Sequence, residues 1–353
     1  MALEDFQSAL RIQAVACKDL GSPFTARVLT VISKNVTELG DVWALVVNWP
    51  GDLGPSGASV PLRLAGTLNA IVLEGLDPEL VAVYPPNSAP CTDLVLWDAI
   101  EKAISRNTSF ALKRLQSPPQ TNEVRRSGII VPGFLAIADK TGLSNFVMSE
   151  VGASAGLNLI WDTYRYTLAD KSWGNGASAV HLSPKWKGEP PIFREITVID
   201  RDGCDLLPVD LEDEQERRRL LSYIWPDQDD RVLRTKQAIE SFRKSTNIIK
   251  AEDAISWLER RLSQSYEGAV HVVYNTIAWQ YFPEDKKKEG EIILQRAGAL
   301  ATEDAPLAWL SLEADGKGPG AALMLSLWPA GETYELARGD FHGRWVDWKK
   351  LTS

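Results

Sequence analysis

Apolar residues recur every three or four positions through the first third of the chain. Phe6, Leu10, Ala14 and Cys17 lie on one helical stripe. Val28, Ile32, Val36 and Leu39 form a second, which follows the helix-start pair Ser22-Pro23. Residues 61–73 and 92–115 keep the period, the latter with Leu94, Trp97, Ala99 or Ile100, and Ile104 on one face. Residues 49–61, rich in Gly, Pro and Ser, predict a loop. No period of about twenty to fifty residues repeats, which excludes a solenoid.

After Pro118-Pro119 the pattern changes. A helix is predicted from Thr121 or Asn122, both N-cap types, to Thr141-Gly142. Strands are predicted at 146–150, 196–199, 247–249, 269–274 and 308–312, with a helical stretch at 284–299 before the last. Such alternation implies a parallel sheet covered by helices. Segments 322–328 and 333–337 flank the turn Pro329-Ala330-Gly331 and predict a closing antiparallel hairpin. No helix is predicted between Leu312 and Ala322. Residues 164–191, rich in Gly, Pro, Ser and Trp, break the alternation and read as an insertion at about 163–192, a β-hairpin over the site. The expected organisation is a helical N-terminal region, 1–117, and an α/β domain, 118–353.

Composition narrows the function classes. The chain has 353 residues, 44% hydrophobic and 24% charged, with a formal net charge of −9. That is a globular balance whose surface repels polyanions. The tight basic runs, Arg217-Arg218-Arg219 and Lys286-Lys287-Lys288, sit among acids on expected surface helices, so a nucleic-acid substrate is disfavoured. Cys17, Cys91 and Cys204 are far apart and form no Cys-x-x-Cys pair, which fits a reducing compartment and speaks against a disulfide framework or zinc site. Residues 1–10 lack the basic start of a signal peptide. The longest nearly apolar stretch, 128–138, contains Pro132 and is too short to span a bilayer. The expected location is the cytoplasm; the oligomeric state stays open.

The most informative segment runs from Phe146 to Leu159. An apolar strand ends in the acid Glu150. The small residues Gly152, Ala153, Ser154, Ala155 and Gly156 follow, then the apolar start of an expected helix carrying Asn158. Small residues let backbone approach a ligand, and a helix N-terminus offers N–H groups. The loop lies at a strand's carboxyl end, where open α/β sheets bind ligands. Its Gly-x-x-x-Gly spacing departs from the dinucleotide fingerprint, and no Lys-Ser/Thr follows as in a P-loop. An acid at Glu150 disfavours phosphate and suits a cationic ligand. A plain tight turn would account for the same residues.

The helix predicted after Pro118-Pro119 adds a geometric expectation. About twenty residues at ~1.5 Å each run ~30 Å back along a strand of ~20 Å, which puts Gln120, Thr121, Asn122 and Glu123 beside the glycine loop. Capping alone would also explain Thr121 or Asn122. Trp225-Pro226-Asp227-Gln228 and Trp279-Gln280-Tyr281 mix aromatic and polar groups, as small-molecule pockets do and as buried tryptophans beside caps also do. With only three histidines, His181, His271 and His342, catalysis by histidine is tightly limited, and His271 reads as core. His342, in Phe341-His342-Gly343-Arg344-Trp345, is the acid/base candidate or part of a C-terminal clasp. No set at metal-ligand spacing is present.

Glu150-x-Gly152-x-x-x-Gly156 resembles the first motif of class I S-adenosylmethionine-dependent methyltransferases, whose loop holds the methionine end of the cofactor. The resemblance implies S-adenosylmethionine as cofactor, contacted by Glu150, Gly152, Ala153, Ser154, Gly156 and Asn158. It further implies Asp205 for the ribose hydroxyls, Asp253 for the adenine amino group, and Asn275, after Tyr274, near the methyl group. Asn275 and His342 are then the catalytic candidates. Gln120, Asn122, Glu123, Trp225, Gln228, Trp279 and Tyr281 are the candidates for contact with a small-molecule substrate. The phrases Gln120-Thr121-Asn122-Glu123, Glu150–Asn158, Gly203-Cys204-Asp205-Leu206-Leu207-Pro208-Val209-Asp210, Tyr223-Ile224-Trp225-Pro226-Asp227-Gln228, Trp279-Gln280-Tyr281 and His342-Gly343-Arg344-Trp345 are also similar to motifs of a bacterial family known as domain of unknown function 2332. That likeness covers nearly the whole chain and names no reaction. The expected fold is a Rossmann-like methyltransferase fold with a helical N-terminal region. The expected activity is methyl transfer to a small molecule, with adenosyl-ligand binding without transfer as the alternative.

Overall fold

The computed structural model describes residues 2–87 and 90–349. Two compact units emerge: the chain up to Thr121 together with Glu212–Leu233, and Asn122–Leu211 together with the chain from Arg234 onward.

Helices dominate the first unit: α1 (Ala2–Asp19), α2 (Pro23–Asn35), α3 (Asp41–Val47), α4 (Val60–Leu73), α5 (Pro78–Val83), α6 (Asp93–Arg106) and α7 (Thr108–Leu115). The α1 stripe Phe6, Leu10, Ala14 and Cys17 is buried as its spacing requires. Ser22 caps α2, its hydroxyl accepting from the Thr25 N–H. Two details depart from the periodic reading. Leu39 and Leu94 are exposed, and residues 92–115 form two helices that meet at Asn107. The α6 stripe is Leu96, Ala99, Ile100, Ala103 and Ile104 instead.

The second unit is built on a nine-stranded, mostly parallel sheet. A short 3-10 turn, Val124–Arg126, leads into α8 (Ser127–Thr141), which Gly142 ends in the left-handed conformation. The helix therefore starts later than Thr121 or Asn122. Then come β1 (Asn145–Val151), β2 (Arg165–Leu168), β3 (Lys171–Gly174), β4 (His181–Leu182), β5 (Lys185–Lys187) and β6 (Thr197–Asp205). The chain next forms α9 (Glu214–Ser222) and α10 (Asp229–Arg243); α9 and the start of α10 belong to the helical unit. β7 (Ile249–Ala251), α11 (Ala254–Arg261), β8 (Val270–Thr276), α12 (Glu284–Gly298), β9 (Leu307–Glu313), β10 (Ala321–Trp328), β11 (Glu332–Gly339) and β12 (Trp345–Trp348) complete it.

Across the large sheet the order is β5-β12-β11-β10-β9-β8-β1-β6-β7. The run β7-β6-β1-β8-β9 is parallel throughout. β10 and β11 pair antiparallel, with Ser326 opposite Thr333, so the closing hairpin forms as its turn signal predicts. The insertion is a β2–β3 hairpin with β4 parallel to β2, and β5 leaves it to join the large sheet beside β12. Both faces of β1 and β8 are buried, as central parallel strands require. One face is covered by α11 and α12 through Trp257, Leu258, Ile293 and Leu294. On the α8 side, Phe134 packs against Trp161 and Tyr274.

Candidate functional site

The chain leaves β1 for β6 and β7 on one side, then crosses back to β8 and β9 on the other. The carboxyl end of β1 is thus a topological switch point, where open α/β sheets form their ligand crevice. Glu150 stands there, level with Gly203 of β6 and Tyr274 of β8.

Glu150 is 1% exposed. Its Oε2 accepts one long hydrogen bond, 3.4 Å, from the Tyr274 hydroxyl, and no other hydrogen bond or ion pair reaches the carboxylate among the described residues. Burial pushes its carboxyl well above the usual carboxylate range, only partly offset by the Tyr274 bond; nearby Asp205 raises it further and Arg126 lowers it. An ionised carboxylate removed from water without a counter-charge is costly.

The loop after Glu150 is tight. Gly152, Ser154 and Gly156 all have positive φ, as does Asn122 packed against them. A Cβ on Gly152 would lie 2.5 Å from the Ala278 Cβ, and one on Gly156 would overlap Phe242 and Ile249. The glycines are therefore required by protein packing. No α-helix follows: residues 153–160 turn repeatedly and end in the 3-10 segment Trp161–Thr163, contrary to the expected helix. The physical cause is competition for the N–H groups. Ala153 N–H donates to Cys204 O (2.9 Å), Ser154 N–H to Asp205 Oδ2 (2.9 Å), Gly156 N–H to Ala153 O (2.8 Å) and Leu157 N–H to Asn122 Oδ1 (2.8 Å).

Asn122 and Glu123 do lie against this loop. Besides the Asn122–Leu157 bond, Asn158 Nδ2 donates to Glu123 O (3.3 Å), and Asn158 Oδ1 accepts from the Ser127 hydroxyl (2.7 Å). The Glu123 carboxylate caps the 3-10 turn through Arg125 N–H. Asp205 is the last residue of β6, and its other oxygen, Oδ1, takes the Leu207 N–H. Asp253 is exposed and caps α11 by accepting from Ile255 and Ser256 N–H.

Asn275 is fully engaged. Its Oδ1 accepts from Trp309 Nε1 (3.0 Å), and its Nδ2 donates to Ser311 Oγ (2.9 Å) and Glu313 Oε1 (2.6 Å). Glu313 also collects the N–H groups of Ala278, Trp279 and Gln280, and so holds the loop after β8 around one carboxylate. Ile277 in that loop has φ +52°. Trp279 packs against Phe282 and Trp309, while Tyr281 is exposed.

Gln120, Trp225 and Gln228 belong to the helical unit. Trp225 is part of that unit's core, Gln228 Nε2 donates to Leu20 O (3.1 Å), and neighbouring Asp227 accepts from Ser22 Oγ and Phe24 N–H. Gln120 Oε1 accepts from Arg219. His342 lies in the turn between β11 and β12. There Asp340 accepts from the backbone N–H of His342 and Arg344 and from the Arg344 guanidinium, which is the arrangement of a clasp. His271 is core, hydrogen-bonded to Ser149 (2.8 Å), and burial, more than the Arg261 charge, lowers its pKa to about 3.

Two residues at this edge escaped the sequence reading. Arg126 donates to Thr276 O (3.0 Å) and Phe341 O (3.1 Å), tying the loops after β8 and β11. Glu313 is an acid closing a strand, the same signal that drew attention to Glu150 and Asp205. Among the described residues no cluster of His, Cys, Asp or Glu is placed to hold a metal ion, and no helix is long and apolar enough to cross a membrane.

The family described as "Uncharacterized protein conserved in bacteria", domain of unknown function 2332, matches residues 7–348, and the chain belongs to it. No curated protein and no solved structure matches the chain.

Proposed function

We propose that the α/β unit is an S-adenosylmethionine-dependent methyltransferase acting on a small molecule. One observation carries the reading: a buried carboxylate, Glu150, without a cationic partner, stands at the switch point of a five-strand parallel run. The cofactor's methionine end brings a sulfonium and an ammonium group, and either would compensate the charge that burial makes costly. Asp205 also fits. Each of its oxygens accepts one backbone N–H and keeps a lone pair for a ribose hydroxyl. The glycine loop contributes shape only, since its N–H groups at Ala153, Ser154, Gly156 and Leu157 are already used. When bound, the sulfonium supplies an activated methyl group. The chain's task is then to hold and align the two reactants, a task that needs no dedicated base.

A second reading, binding of the adenosyl ligand without transfer, is favoured by Asn275. Both of its amide hydrogens are committed to Ser311 and Glu313 and its oxygen already accepts from Trp309, so no donor is left for a substrate.

Calorimetry with S-adenosylhomocysteine tests both. The expected outcome is saturable binding, weakened about tenfold or more in Glu150→Gln, which is ~1.4 kcal/mol. Methyl transfer from labelled cofactor to an extract of small metabolites then separates the two readings. A wild-type protein that ignores S-adenosylmethionine and S-adenosylhomocysteine at millimolar concentration while binding NAD would replace both with an oxidoreductase.

A further inference from the structure

We propose that Glu150 carries a proton in the ligand-free protein and releases it when a cationic ligand binds, so that affinity depends on pH. The coupling rests on the reading that Glu150 meets the cofactor's cationic end.

Hydrogens are too few for the ionised form. The Tyr274 hydroxyl lies 3.2 Å from Asn158 O and 3.4 Å from Glu150 Oε2, and it has one hydrogen for both. With Glu150 ionised, one of these two buried acceptors loses that hydrogen. With Glu150 protonated, Oε2–H donates to the Tyr274 oxygen and the Tyr274 hydrogen goes to Asn158 O. A chain of two hydrogen bonds then satisfies all three groups. The oxygens occupy the same positions in both cases, and the hydrogen count selects the protonated one.

The neighbours do not supply what is missing. Tyr164, whose hydroxyl responds to the Glu150 charge, donates to Leu157 O at 2.6 Å. Asp205, at the end of β6, adds a like charge. Arg126, in the 3-10 turn before α8, acts on Glu150 with the opposite sign, but its guanidinium donates to Thr276 O and Phe341 O. The adjacent Ser149 points to the other face of β1, where it bonds His271 and Arg261. Burial is the largest influence on the Glu150 carboxyl, and it favours the neutral form.

Binding is then an exchange. The neutral carboxyl and the ligand cation become a carboxylate–cation pair, and the proton passes to the buffer, so charge is conserved. The empty site avoids the cost of a buried lone anion, and the anion appears only together with its counter-charge. In acid the proton competes with the ligand. Below the pKa of Glu150 in the free protein, affinity falls about tenfold per pH unit.

Calorimetric titration of the full chain with S-adenosylmethionine and with S-adenosylhomocysteine tests the exchange, at about pH 6, where the ligands' α-amino group is protonated. Each titration is run in Mes and in Bis-Tris, buffers that differ in ionisation enthalpy. The expected heats differ between buffers by the amount for about one proton released per ligand. Release with both ligands identifies the ammonium as the group that replaces the proton; release with S-adenosylmethionine alone identifies the sulfonium. Glu150→Gln, whose amide N–H stands in for the acid O–H, should bind more weakly and with equal heats in the two buffers. Equal heats for the wild type would overturn the coupling and leave the adenosyl-ligand reading standing. Absence of binding by either ligand would remove both. Infrared difference spectra of the ligand-free proteins, wild type against Glu150→Gln, should show the carbonyl band of a protonated carboxyl. Tyr274→Phe should shift that band upward, because the acid loses its acceptor. A wild type without the band would overturn the proposal whatever the protein binds.

Discussion

Replacing Gly152 with alanine separates two reasons for a glycine in the loop after β1. The residue has φ +69°, where an L side chain costs about 1–2 kcal/mol. The added Cβ would also lie 2.5 Å from the Cβ of Ala278, an atom that moves only with its backbone. Overpacking of this kind costs about 1–3 kcal/mol, so the whole substitution is expected to cost about 2–5 kcal/mol. Gly142, after α8 in the same unit, is the control. Its φ is +70°, but a Cβ there meets nothing within 4 Å. Gly142→Ala should therefore cost about 1–2 kcal/mol, the backbone part alone. Urea unfolding followed by tryptophan fluorescence and far-UV circular dichroism reads both variants against the same transition. Equal losses for the two would refute the packing argument and leave Gly152 as a position that backbone conformation alone demands.

Two further outcomes follow from the same geometry. Burial raises the folded-state pKa of Glu150, so the folded protein holds that proton more tightly than the unfolded chain; stability is then greatest below the unfolded carboxylate pKa of about 4.3 and falls as pH rises above it, by at most ~1.4 kcal/mol per pH unit. Glu150→Gln should flatten that slope in the ligand-free protein, and an unchanged slope in unfolding experiments run upward from the unfolded carboxylate value of about 4.3 would show that Glu150 is not the group responsible. Asp253→Ala removes the α11 cap and should cost about 1 kcal/mol in the same assay, with adenosyl-ligand affinity unchanged if capping is its whole role.

The strands were legible because their apolar runs are short and bounded by breakers. β1, β8 and β9 fall within two residues of their expected limits, and the hairpin was announced by Pro329-Ala330-Gly331. Asn122 does lie beside the glycine loop, although α8 begins at Ser127 and not at Thr121 or Asn122 as the length argument assumed. What local pattern does not encode is long-range hydrogen bonding. The apolar run from Leu157 to Trp161 suits a helix, yet Asn122, far back in sequence, takes the Leu157 N–H and the chain turns instead. In the same way α9 is too polar to declare a partner. It belongs to the helical unit because Asn69 of α4 donates to Ser222 O and Ile224 O, and because Tyr223 fills the space left by Gly66. Strands as short as β4 and β5 exist only through their pairing and so had no periodic signature.

Glu313 gives the loop after β8 an unusual character. A branched residue such as Ile277 in the left-handed region sits about 1–2 kcal/mol above its relaxed state. Four hydrogen bonds to one carboxylate, from Asn275, Ala278, Trp279 and Gln280, hold the segment there. The loop is thus a latch already closed, shaped by the protein's own carboxylate. A ligand arriving at this edge meets a finished surface, and little of its binding energy is spent on ordering the chain.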